Sequence, residues 1–351
     1  MLIELITQGN EIILDHSRGY LHIQNNERHK PCFYGKSRVE KGLSMHMNLR
    51  KLSILLIWML ALAGPLLISC QQEAETPPVA TGPVVDSVAS ADGVMIHYEV
   101  VGEGEPTLVF VHGWSCDRSY WKAQVDEFAR TYQVVTVDMG GHGESGPGRE
   151  DWTLAAFGAD VAAVVNKLNP GKVIMIGHSM AGGVNIQSAQ QLPGRVIGLI
   201  GVDTYQDFEM AYSPEQVAGI TAPFRADFAT SVDGFVRSMF PENADSALVD
   251  RIAADMSTAP PQVAVSAIEN YISGNAVEIL KEVRVPIRAI NSDMWPTNLE
   301  TNRKHAASFE MKLMPGTGHF VMLEDPATFN RLLHETLDEL TGKSGAPVDK
   351  E

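Results

Sequence analysis

Apolar positions change their spacing along this chain. Thr107–Val111, Val134–Val137 and Val173–Ile176 are short unbroken apolar runs, the sign of strands buried on both faces. Val94–Val101 is rich in β-branched and aromatic residues and follows an Asp92-Gly93 turn signal. Between these runs the spacing becomes helical. Tyr120, Trp121, Val125 and Phe128 form a stripe over Arg118–Arg130, and Leu154, Phe157, Val161, Val164, Val165 and Leu168 form another over Thr153–Leu168. Ala181–Gln191 reads as a further helix and Val196–Val202 as a further strand. Strands that alternate with helices predict an α/β fold, a mostly parallel sheet with helices on both faces, over residues 84–203.

The rhythm breaks over residues 204–285. Strand-like runs stop, and Pro214, Pro223, Pro241, Pro260 and Pro261 separate helical stretches that carry several Met and Phe residues. This segment reads as a helical cap inserted into the sheet. Its Met and Phe side chains suit either an adaptable apolar pocket or ordinary core packing. Strand character returns at Val285–Ile290 and around Met311–Met314, and residues 326–341 read as a closing helix. Residues 286–341 would then complete the core, with 342–351 a disordered tail.

Residues 47–69 have a different character. Arg50 and Lys51 precede an apolar run, Ile54–Ile68, broken by Gly64 and Pro65. That is the layout of a secretory signal peptide, and it is short and proline-broken for a spanning helix, which needs about 20 apolar residues. Its end, Leu67-Ile68-Ser69-Cys70, resembles the lipobox of bacterial lipoproteins. The resemblance implies cleavage before Cys70, acylation of its thiol and a lipid-anchored place in the bacterial cell envelope, facing the periplasm or exterior. Gln71, where an aspartate would retain the protein at the inner membrane, favours the outer membrane in a Gram-negative host. Residues 70–83 read as a Pro- and Glu-bearing tether. Residues 1–46 show no pattern and read as an upstream extension from a misplaced start codon, or as a disordered tail.

Composition narrows the partners. The 351 residues are 44% apolar and 20% charged, which suits a globular core. Acidic residues outnumber basic ones by 43 to 27, a net charge of −16. With no Lys/Arg stripe, nucleic acid is an unfavourable partner; a small-molecule substrate and a membrane are the expected ones. Cys32, Cys70 and Cys116 form neither a zinc-ligand spacing nor a disulfide framework. Neither a dinucleotide fingerprint nor a P-loop is present, so no cofactor or metal is expected.

Four short segments carry the chemistry. Gly177-His178-Ser179-Met180-Ala181 places a serine between a buried strand and a helix, with small residues two positions to either side. That is the nucleophile-elbow pattern, with Ala in place of the more usual last Gly. Phe110-Val111-His112-Gly113-Trp114 follows another buried strand. Val137-Asp138-Met139-Gly140-Gly141-His142-Gly143-Glu144-Ser145 follows a third, and Pro315-Gly316-Thr317-Gly318-His319-Phe320 precedes Glu324-Asp325-Pro326. Together these resemble the α/β-hydrolase family, in its serine-hydrolase branch, across roughly residues 84–341.

The resemblance implies Ser179 as nucleophile, His319 as general base, and the backbone N–H groups of Trp114 and Met180 as the oxyanion hole. It also implies structural roles for His112, Asp138 and His142. The triad acid has two candidates at strand ends. Asp293, after the late strand and before His319, is preferred; Asp203, after Val196–Val202, competes with it. The implied reaction is hydrolysis of a carboxylic ester or related small acyl compound through an acyl-serine. A carbon–carbon hydrolase, a lactonase or a cofactor-free perhydrolase would use the same triad, and a non-catalytic surface-tethered binding protein is the remaining alternative.

Overall fold

The computed structural model describes residues 11–15, 20–24 and 82–342. The chain divides into two compact units, Met1–Gln72 and Glu73–Glu351. In the first, Glu11–Asp15 pairs antiparallel with Tyr20–Gln24, a pairing not expected from a stretch read as patternless. The signal segment 47–69, Cys70, most of the tether and the last nine residues lie outside the described residues.

The second unit is built on an eight-stranded sheet. Its strands are β1 (Val84–Ala89), β2 (Met95–Val101), β3 (Thr107–Val111), β4 (Val134–Val137), β5 (Val173–His178), β6 (Val196–Val202), β7 (Ile287–Ser292) and β8 (Phe309–Met314). They lie in the order β8-β7-β6-β5-β3-β4-β2-β1. β1 and β2 run antiparallel to their neighbours, and every other pairing is parallel. Every residue of β3, β4 and β5 is buried, as their largely apolar runs lead one to expect. Each Val, Leu or Ile enclosed this way stabilises the fold by about 1.5–3 kcal/mol.

The covering helices follow the stripes in the sequence. A 3₁₀ turn at Arg118–Trp121 leads into α1 (Lys122–Phe128), because the Asp117 side chain accepts from Ser119 N and starts the turn four residues before the α-helix proper. Thr153 caps α2 (Leu154–Leu168) by accepting from Ala156 N, and Asn169 ends it in the left-handed conformation. α3 (Ala181–Gln191) packs on α2, with its first residue two after Ser179. The insertion between β6 and β7 contains α4 (Pro214–Ala226), α5 (Phe228–Ser238), α6 (Ser246–Met256), α7 (Pro261–Ile272) and α8 (Ala276–Leu280). Prolines open α4 and α7 at their first turn, where a missing N–H costs nothing. The chain closes with α9 (Leu299–His305), α10 (Val321–Glu324) and α11 (Pro326–Thr341).

Two elements escaped the pattern. β1 is an edge strand with Val84 and Val85 more than half exposed, so it lacks the burial that made the other strands legible. α9 is a short helix with one buried residue, Asn302, and leaves no apolar stripe.

A buried ion pair holds the loop after β4 against α2. The fully buried Asp160 carboxylate accepts from Gly140 N at 3.0 Å and from Arg149 Nη2 at 2.5 Å. Arg149 also pairs with Asp92 and lies over the Trp152 ring. Asp160→Ala strands a guanidinium that is 5% exposed, at an expected cost of about 3–5 kcal/mol. Urea unfolding measures it; a loss below about 1 kcal/mol would show that Asp92 alone satisfies Arg149.

Candidate active site

Ser179 stands at the carboxyl end of β5 with φ +54°, a left-handed conformation that is costly for a residue with a Cβ. The surroundings hold it there. Ser179 N donates to Val202 O on β6 at 3.0 Å, and Gly182 N returns to Ser179 O at 2.9 Å. Gly177 is obligatory, since a Cβ would lie 2.7 Å from Ala181 O and 2.5 Å from Asn185 Nδ2. Ala181 is itself fully buried, so the small side chain at the last elbow position fits without a gap. The turn aims Ser179 at a cavity of about 660 Å³ that His319 and Asp203 also line.

His319 lies in the loop between β8 and α10. Its Nδ1 donates to Asp203 Oδ2 at 2.6 Å, which leaves Nε2 as the ring atom able to accept a proton. Four hydrogen bonds to its backbone fix the loop. His319 N donates to Met239 O at 2.8 Å, His178 Nε2 donates to His319 O at 2.9 Å, and Glu324 accepts from both Gly318 N and Phe320 N. Burial, followed by the nearby His319 ring, pushes the His178 pKa well down, so His178 stays a neutral donor. The Trp295 ring packs edge-on to His319, with centroids 5.4 Å apart. Nothing in the sequence marked Trp295 for this place.

Asp203, not Asp293, is the carboxylate that the fold brings to His319. Asp203 follows β6, is 2% exposed and has φ +46°. It is tied into the next strand: Asp203 N donates to Ile290 O, and Asp203 Oδ1 accepts from Ser292 N at 2.8 Å. Asn291 clamps the following turn by bonding both N and O of Thr204. The preference for Asp293 is corrected by where β7 ends. The strand runs to Ser292, two residues beyond the Ile290 expected from its apolar run. Asp293 therefore emerges exposed, and its Oδ1 accepts from Gly316 N at 2.9 Å. It braces the histidine loop and does not reach the imidazole.

Trp114 and Met180 sit where two strand ends turn into loop and helix. Among the described residues, neither backbone N–H donates to an internal acceptor, so both remain available. The Trp114 side chain joins the cap, its Nε1 donating to Ala264 O at 2.7 Å and its ring packing against Phe224, Phe228 and Phe235.

His112, His142 and Asp138 are tied into the surrounding loops. His112 Nδ1 donates to Gly113 O while Nε2 accepts from Met139 N, and burial lowers its pKa to about 4. His142 Nδ1 donates to Gly140 O, and burial, then His112, lowers its pKa to about 3. Asp138 accepts from Arg118 and Glu144 backbone N–H groups and from the Arg118 guanidinium.

The sheet order, the strand–serine–helix turn and the histidine–carboxylate pair at the sheet's carboxyl edge define an α/β hydrolase architecture. The model of the Alpha/beta hydrolase family matches residues 108–332, and the chain belongs to that family. The chain is 25% identical over 266 residues to the pimeloyl-[acyl-carrier protein] methyl ester esterase of Yersinia enterocolitica, covering 68% of this chain and 95% of that protein. It is 36% identical over 111 residues to the dihydrolipoyllysine-residue acetyltransferase component of the acetoin cleaving system of Cupriavidus necator; that match spans 32% of this chain and 30% of the relative. A thermophilic esterase from Thermogutta terrifontis has the same fold, with TM-score 0.64 and 22% identity over 73% of this chain and 99% of that one.

The buried neutral histidines set a pH response. With folded pKa values of about 4 and 3 against an ordinary 6.5, the unfolded chain binds protons below pH 6.5 that the folded chain does not. Their stabilisation is complete above pH 6.5 and is lost as pH falls toward 4. Melting temperature should drop steadily over that range, and His142→Gln should flatten the slope. An unaltered slope would remove His142 from the account.

Proposed function

We propose that the protein is a serine hydrolase that cleaves carboxylic esters or related small acyl compounds through an acyl-Ser179 intermediate. One observation carries the reading. The buried Asp203–His319 hydrogen bond and the left-handed Ser179 open onto a single cavity.

The chemistry follows from the proton positions. Asp203 holds the His319 tautomer with hydrogen on Nδ1, so Nε2 accepts the Ser179 hydroxyl proton as Oγ attacks the acyl carbon. The oxyanion that forms is stabilised by the N–H groups of Trp114 and Met180; losing one such donor typically costs about 3 kcal/mol. Imidazolium then gives its proton to the departing alcohol. Water, deprotonated by the same Nε2, releases the acid and restores Ser179.

A p-nitrophenyl ester series tests this. Residues 71–351 should hydrolyse the acetate, butyrate and octanoate esters, and Ser179→Ala should lower kcat by at least about 10⁴-fold. Asp203→Asn should lower kcat by about 10³–10⁴-fold, as loss of the tautomer-fixing acid does in serine hydrolases. Asp293→Asn should cost less than about tenfold. A reversed ranking of the two aspartates would return the acid to Asp293. Equal inactivity of wild type and Ser179→Ala on every ester, with no labelling of Ser179 by a fluorophosphonate, would favour a binding protein.

The envelope location is a second part of the proposal, supported by the Leu67–Cys70 lipobox and the Arg50-Lys51 charge ahead of the apolar run. Expressed in a bacterium fed an alkynyl palmitate analogue, the chain should incorporate label and sediment with membranes. Cys70→Ala should lose the label; a labelled Cys70→Ala protein would overturn the assignment.

A further inference from the structure

The lining of the Ser179 cavity has a one-sided charge. Its charged groups are two carboxylates, Asp203 and Asp207, and it contains no Lys or Arg. The wall therefore offers two carboxylates and no fixed positive group. Asp203 is spoken for by His319 and Ser292 N. Asp207, half-buried, is held in place by Asn298 Nδ2 at 2.9 Å on Oδ2 and by Glu209 N at 2.8 Å on Oδ1. Neither partner is a cation. Lys304 and His305 are both engaged by Glu209, two residues on, which is not part of the lining.

The rest of the wall is the kind that takes a cation or a neutral group. Tyr205, Tyr212, Tyr271 and Trp295 contribute aromatic rings, whose faces attract positive charge and repel negative charge. An anionic substrate would enter without a partner, leaving its own water for an apolar wall and two carboxylates. A cationic one would gain Asp207 and the ring faces.

We infer that this cavity accepts uncharged and cationic acyl substrates and rejects anionic ones, with Asp207 as the residue that sets the charge preference. The inference rests on the serine-hydrolase reading and narrows its substrate class to esters free of carboxylate or phosphate near the scissile bond. Asp207 takes no part in bond making; it acts on what may enter.

Three butyrate thioesters of similar size test it on the full chain. They are those of thiocholine (cationic), 3,3-dimethylbutanethiol (neutral) and 3-mercaptopropionate (anionic), followed by release of free thiol. The expected order of kcat/KM is cationic at least equal to neutral, and neutral above anionic by at least about 100-fold, or about 2.7 kcal/mol at 1.36 kcal/mol per tenfold. Asp207→Asn should narrow the neutral-to-anionic ratio at least fivefold, and Asp207→Glu should keep it. An anionic thioester turned over within threefold of the neutral one overturns the inference, as does an unchanged ratio in Asp207→Asn. Calorimetric binding of choline, 3,3-dimethylbutanol and 3-hydroxypropionate to the Ser179→Ala chain reads the same order without turnover. A correct binding order with no thioester cleaved by wild type would sustain the charge preference and sink the hydrolase reading; cleavage of the neutral ester with no charge order would do the reverse.

Discussion

The site depends on the parallel register of three neighbouring strands. β5 delivers Ser179, β6 delivers Asp203 and β7 supplies the amide of Ser292 that holds one Asp203 oxygen. In that register His178 stands opposite Val202, and Val202 opposite Ile290. The residues that follow these positions therefore emerge together at one sheet edge. A slip of one residue would turn every strand side chain to the opposite face, burying Ser179 or sending Asp203 away from His319. The apolar runs of β3 and β5, closed in on both faces, set this register against slippage, so core packing and the geometry of the site are two consequences of one constraint.

The helical insertion shares that constraint. It belongs to the same compact unit as the sheet and reaches both loops that serve the serine. Met239 O at the end of α5 takes the N–H of His319, and Gly318 has no Cβ because one would lie 2.4 Å from that same carbonyl. On the other side Ala264 O in α7 takes the Trp114 indole N–H. The cap thus fixes the backbone of His319 and the side chain of Trp114 through directional bonds. The Met and Phe residues of the insertion divide accordingly. Met239 and Phe235 line the cavity, whereas Phe228 and Met256 are buried in packing. The sequence reading of pocket or core was answered by both.

What could be read from the chain was whatever burial made periodic. β3, β4, β6, α3 and α11 have the bounds that their apolar spacing predicts, because in each the spacing is the direct imprint of the faces that pack. The turn that carries Ser179 was legible for a similar reason: it takes small residues at both flanking positions, and Gly177 and Ala181 record that in sequence. The resemblance read His112 as a support of the turn after β3 and His142 as part of the shaping loop after β4, and each bonds to backbone. Edge strand β1, helix α9, Trp295 and Asp207 leave no such imprint. β1 is placed at an exposed edge, Trp295 by packing on the His319 ring, and α9 and Asp207 by contacts with residues about ninety positions away, and none of these produces a local pattern.

The choice between Asp203 and Asp293 shows where sequence logic reaches its physical limit. Both carboxylates follow adjacent parallel strands, and both meet the histidine loop, one at His319 and the other at Gly316. Their difference is dielectric. Asp203 is enclosed, with one oxygen on an amide and the other on the imidazole, so its charge acts on His319 through protein and not through water. Asp293 is exposed, where solvent weakens any attraction to a forming imidazolium several-fold. A carboxylate that must orient a ring and steady a transient cation is more effective in the enclosed position. The exposed one is suited to the lesser task of holding a glycine amide. Burial of a strand end is decided by the two extra residues that β7 runs on, and those residues, Asn291 and Ser292, are polar. An apolar pattern cannot announce them, so the carboxylate that meets His319 could be placed only once the strand had been seen to continue.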